Sequence, residues 1–179
     1  MAYVDKLINA CKSGNLQNIK EFINKDQINE DNGGWPLIHW AAHFGHLDIV
    51  IYLHQNGSQI DIKAHDEWTP IYEAARAGHC EIVKYLHQHG AQIDVKDKYG
   101  WSPINLAILN GNLEVASYLI PFFNISKIQP LDEKYIAILK QNIFKQLDPN
   151  MPTDAIHEVD GMATAVGSSD VANLIMKFI

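Results

Sequence analysis

Apolar positions in this chain follow a helical period, and that pattern recurs along the sequence. The segments LDIVIYLHQNG (47–57), CEIVKYLHQHG (80–90) and LEVASYLI (113–120) superpose in register. In the second of these, Ile82, Val83, Tyr85 and Leu86 form one stripe, which predicts an amphipathic helix. Gly57 and Gly90 stand where two of these helices end. A further helical pattern precedes each one, entered at Trp35-Pro36-Leu37, Trp68-Thr69-Pro70 and Trp101-Ser102-Pro103. The interval is 33 residues, and it takes in three of the four tryptophans.

The chemistry of one unit follows from its residues. Thr69 and Ser102 are placed to accept a backbone N–H as helix caps, and Pro70 and Pro103 suit the first helical position. The adjacent small residues Ala74 and Ala75 let a neighbouring helix approach closely. Gly78 suits a left-handed helix end. The polar run QIDIKAHDEW (59–68) is a turn or hairpin connection. One such unit cannot bury its own apolar face, so stability has to come from stacking units on one another.

A turn followed by two helices at this period, with Thr69-Pro70-Ile71-Tyr72-Glu73-Ala74-Ala75 and Ser102-Pro103-Ile104-Asn105-Leu106-Ala107, resembles the ankyrin repeat. The Gly45-His46 and Gly78-His79 pairs fit the same pattern. Two departures stand out. Pro36-Leu37 replace the Thr-Pro pair, and Glu67 sits where the turn glycine is usual. A partial unit comes first: Leu7 to Asn15 aligns with the Ala-Ala-x-x-Gly portion, and Leu16, Ile19, Phe22 and Ile23 supply its second helix. The resemblance implies an all-α ankyrin-repeat solenoid over residues 1–124, in units of about 1–30, 31–63, 64–96 and 97–124. Residues 125–179 read as a degenerate helical capping repeat or extension, with helical patterns at Tyr135–Leu147 and Ser169–Phe178.

In this family the connecting turns and the ends of the first helices commonly contact partners on a concave face. The resemblance therefore implies a protein-binding surface made of Trp35, His43, Phe44, His65, Asp66, Trp68, Arg76, Lys98, Tyr99, Trp101 and Leu109. Aromatic residues and Arg are enriched at interface hot spots. The tryptophan row has a competing explanation, in which each ring packs on its own turn and its neighbour.

Composition narrows the functional classes. The chain is 47% hydrophobic and 20% charged, as expected of a folded protein, and its net charge of −7 argues against a nucleic-acid partner. No apolar run reaches membrane-spanning length, and the N-terminal run lacks the apolar centre of a secretory signal. Cytoplasmic residence is the expectation, although export by a dedicated machine would leave the same sequence. Cys11 and Cys80 align with apolar helix positions and are expected to be core thiols. No phosphate-binding or hydrolytic motif occurs, so no enzyme activity and no cofactor are expected.

Nine histidines raise a metal-binding alternative, because His39 and His43 are four apart on one helix face. The repeat accounts for several of them otherwise. His39 falls where the family bonds the adjoining loop, His46 and His79 follow the helix-ending glycines, and His54 and His87 sit near helix C-termini that favour a cation. Asp61 and Asp94 are expected to brace turn backbone. Asp66, Glu67 and Glu73 can form an acidic patch, but Lys98 and Arg76 beside it make the patch mixed, so no strongly charged partner is expected. A second alternative makes the protein an adaptor whose segment 125–179 binds another partner.

Overall fold

A computed structural model describes residues 2–24, 27–30 and 34–122 of the chain. The extension expected at 125–179 lies outside the described residues. Four helix pairs follow one another: α1 (Ala2–Ser13) with α2 (Leu16–Phe22), α3 (Leu37–Phe44) with α4 (Leu47–Gln55), α5 (Pro70–Ala77) with α6 (Cys80–Gln88), and α7 (Pro103–Leu109) with α8 (Leu113–Leu119). Single 3-10 turns occur at His65–Glu67 and Ile120–Phe122. No strand occurs among the described residues.

The helices form two layers. Each first helix packs on the next (α1 on α3, α3 on α5, α5 on α7), and the second helices do likewise, from α2 to α8. Ala41, Ala42, Ala74, Ala75 and Ala107 are buried between the first helices, where their small side chains permit the close stack. Ile49, Val50, Leu53, Ile82, Val83 and Leu86 belong to the same continuous core. Each such side chain contributes about 1.5–3 kcal/mol by leaving water.

Polar side chains stitch successive units together at the same interval. His46 Nε2 donates to the Lys12 carbonyl at 3.1 Å, and His79 Nε2 donates to the His43 carbonyl at 2.9 Å. The equivalent Asn112 donates to the carbonyls of Ala75 and Arg76 at 3.0 and 2.9 Å. Each satisfies carbonyls that a helix end leaves open. On the other layer, hydrogen bonds of 2.9 Å join His54 Nδ1 to the Tyr85 hydroxyl and His87 Nδ1 to the Tyr118 hydroxyl. Asp61 accepts from the Gln92 N–H at 3.1 Å, the bracing role expected of it.

Three expectations need correcting. Thr69 is the residue before α5 and has extended backbone, but its hydroxyl makes no capping bond and has no partner among the described residues. Pro70 has no N–H and already holds a helical φ, so the helix start needs that bond less. His54 is not a favoured cation at its helix end: burial, and then the neighbouring His89, hold its pKa below the ordinary value. Glu73 joins no acidic patch, because it is fully buried. Cys11 and Cys80 are free and buried, as expected of core thiols.

Candidate protein-interaction face

The hairpin-like turns ahead of the first helices are closed by backbone bonds, from Ala64 N–H to the Trp68 carbonyl at 2.8 Å and from Asp97 N–H to the Trp101 carbonyl at 2.9 Å. The preceding unit ties into them. His39 Nε2 donates to the Trp68 carbonyl at 2.9 Å. Tyr72, at the position equivalent to His39, donates its hydroxyl to Asp97 Oδ2 at 2.5 Å. The other oxygen of Asp97 accepts the Tyr99 and Trp101 N–H groups at 2.8 and 2.9 Å. This fixes the turn that carries Lys98 and Tyr99. Burial, aided by the Asp97 carboxylate, pushes the Tyr72 phenol well above its ordinary range.

Trp35, Trp68 and Trp101 are each half-buried. The Trp35 ring centroid lies 6.3 Å from that of Trp68, 4.7 Å from Trp40 and 5.5 Å from His43. Trp68 stacks on Tyr72 at 5.5 Å with an interplanar angle of 20°. Its indole N–H is buried and has no partner among the described residues. The Trp35 and Trp68 rings therefore brace successive units of the array.

Below them sits a buried carboxylate. Glu73 Oε2 accepts from His43 Nδ1 at 3.0 Å and from Arg76 Nε and Nη2 at 3.2 and 2.8 Å. His43 Nδ1 and Arg76 Nη2 are 3.2 Å apart. The carboxylate can only accept, so Nδ1 of His43 carries a proton and both groups converge as donors on one oxygen. The Arg76 guanidinium also lies over the Trp68 ring, 5.4 Å from its centroid. The shared carboxylate links α3 to α5, and the guanidinium is held on two sides.

The expected surface residues thus fall into groups. Trp35, His43, Phe44, Trp68 and Arg76 are brought together on α3, α5 and their turns. Lys98 and Tyr99 form a pair at the next turn, with the ammonium 5.0 Å from the ring centroid. His65 is exposed in the 3-10 turn whose backbone includes Asp66, and Leu109 is half-buried at the end of α7. Phe44 is 40% exposed and Tyr99 70%. Unforeseen members are Lys12, 4.5 Å above the Trp40 ring, and Glu73 as an organising anion. The i,i+3 spacing of Glu73 and Arg76 is the sequence signal for the latter.

For the metal alternative, His39 is buried and its Nε2 is bonded to a backbone carbonyl, while His43 Nδ1 is bonded to Glu73. Among the described residues, no group of three or more His, Cys, Asp or Glu side chains could hold a metal ion. No described helix is long and apolar enough to cross a membrane.

Stacked two-helix units with aromatic and basic side chains at their turns define a helical repeat array. The family model described as ankyrin repeats, in three copies, matches residues 5–64 and 52–129. These matches span more than half of the chain, and the protein belongs to the ankyrin-repeat family. Ankyrin repeats serve in general as protein–protein interaction modules and are typically non-enzymatic.

Proposed function

We propose that this chain is a recognition module that docks a partner protein on the face lined by the first helices and their preceding turns. The observation that carries the reading is the exposure of Phe44, 40%, next to His43 in the braced Trp35–Trp68–Arg76 group, and of Tyr99, 70%, on the following turn. Tyr3 and Phe122 are also exposed, but they lie near the two ends of the described chain. Aromatic side chains already held by their neighbours lose little freedom on binding, which favours affinity. Buried reduced thiols and a net charge of −7 suit a cytoplasmic module with a protein partner rather than a nucleic-acid one.

The test is paired affinity capture with the wild type and a Phe44→Ala/Tyr99→Ala variant, both shown to be folded by circular dichroism. A protein retained by the first and lost by the second supports the reading. Equal capture by both would move the interface off this face, with residues 125–179 as the next region to delete.

A further inference from the structure

We infer that the partner segment seated on this face presents a carboxylate to Arg76, next to an apolar or aromatic side chain that packs on Phe44. The inference rests on the docking reading above and adds the chemistry of the occupant.

Arg76 is prepared for this. Its Nε and Nη2 are committed to Glu73, and its plane lies over Trp68. Among the described residues its second amino nitrogen, Nη1, makes no hydrogen bond, and the side chain is 33% exposed. A guanidinium carries five N–H donors in a rigid fork that matches carboxylate geometry. Here the fork is already oriented, so a partner carboxylate gains the bond without having to order the arginine. A partner cation meets the reverse situation. Glu73 is fully buried beneath the guanidinium, and its only bonded oxygen is shared by His43 and Arg76.

The distribution of charge points the same way. Helices α3 and α7 contain no Asp, Glu, Lys or Arg, and α5 contains only Glu73 and Arg76. The exposed acids Asp48, Glu81 and Glu114 sit in the first turns of the second helices. Glu67, in the turn, is paired with Lys63. Lys12 lies over Trp40, whose ring stacks on Phe44, and Lys98 lies over Tyr99. The Asp97 carboxylate beneath Tyr99 is buried and bonded to its own turn. The ammonium groups over Trp40 and Tyr99 are cationic neighbours of the two exposed aromatics, on a chain whose net charge is −7. An acidic segment is attracted to this face and disfavoured beside the exposed acids of the second helices, which gives orientation as well as attraction.

The probe is a phage-displayed random dodecapeptide library selected on the immobilised full chain. Selected peptides are then synthesised and titrated against the wild type, Phe44→Ala, Phe44→Ala/Tyr99→Ala, and Glu73→Gln/Arg76→Gln. The last removes both members of the pair, so no buried carboxylate is left without its cation. Selected peptides should carry Asp or Glu beside a large apolar residue. They should bind the Glu73→Gln/Arg76→Gln protein roughly tenfold or more weakly, and weaken with added salt. Replacing the peptide acid by its amide should cost as much on the wild type and almost nothing on the double variant. Peptides without an acid, lost on Phe44→Ala but indifferent to Arg76, would overturn the carboxylate inference and leave the docking face standing. Peptides indifferent to Phe44, Tyr99 and Arg76 alike would overturn both.

Discussion

His79 lies so close to Gly45 that a β-carbon on Gly45 would come within 2.6 Å of its imidazole ring. Gly45 also has φ 83°, a conformation that side chains disfavour by about 1–2 kcal/mol. The same imidazole donates to the His43 carbonyl in the turn just before this glycine. Gly45→Ala therefore combines backbone strain with displacement of an inter-unit bond, for an expected loss of about 2–3 kcal/mol. Gly57 is the control: it has φ 105°, and an added β-carbon would meet nothing within 4 Å among the described residues. Gly57→Ala should show the strain alone, about 1–2 kcal/mol. Urea denaturation of both variants measures the difference, and equal losses would mean that His79 adjusts freely.

Glu67 has φ 67° and is the one residue other than glycine with positive φ among the described residues. Gly34 and Gly100 hold the equivalent turn positions, at φ 99° and 83°. Glu67→Gly relieves the left-handed strain but adds freedom to the unfolded chain, for a net gain of roughly 0.5–1 kcal/mol. The Lys63 ion pair is solvent-exposed and its loss offsets little. A higher midpoint in thermal and urea unfolding is expected. A lower midpoint would show that the Glu67 side chain holds the turn by a contact stronger than its strain.

Much of this architecture was legible in the sequence because equivalent residues make equivalent contacts. His46, His79 and Asn112 each bond the end of the preceding unit's first helix, so a 33-residue register predicts a shared job. His39 and Tyr72 share a position and both reach the next turn. The carboxylate at the centre of the face was not legible in this way. Glu73 occupies the position held by Trp40 and Leu106 in its neighbours, so register alone gives it an apolar role. Its burial depends on His43, 30 residues away, and on Arg76 in its own helix. The half-burial of the tryptophan row depends likewise on ring-to-ring contacts such as Trp68 with Tyr72, which spacing does not supply.

Arg76→Ala strands the Glu73 carboxylate with His43 as its remaining partner. Removing one member of a buried pair typically costs about 3–5 kcal/mol, and the partial exposure of Arg76 places this case at about 2–3 kcal/mol. The loss should largely disappear in a Glu73→Gln background, where no charge is left behind. A double-mutant cycle by urea denaturation checks this. Additive losses would show that the two side chains act independently despite their 2.8 Å contact.

Burial pushes the Cys11 thiol up to about 12, and burial together with Glu114 pushes Cys80 up to about 11. The thiolate is the reactive form, so both should resist a disulfide reagent in the native protein. Labelling is expected to show no fast phase at neutral pH and to accelerate steeply as urea opens the array. Rapid native labelling of one thiol would mean that its helix pair opens locally, and peptide mapping would identify which.

His54 supplies the pH dependence with a definite sign. Its folded pKa lies below the ordinary 6.5 because burial, and then the nearby His89, disfavour the cation. The unfolded chain therefore takes up the proton first as pH falls. The stability that the neutral ring contributes is present above 6.5 and is lost as pH drops through that value toward the folded pKa. The neutral ring also bonds the Tyr85 hydroxyl and so ties α4 to α6. His54→Gln should lower stability at pH 7.5, where that bond is made, and should lose less on going to pH 5.5 than the wild type does. Urea midpoints of both proteins at the two pH values test this. Parallel loss in both would assign the acid sensitivity to another histidine.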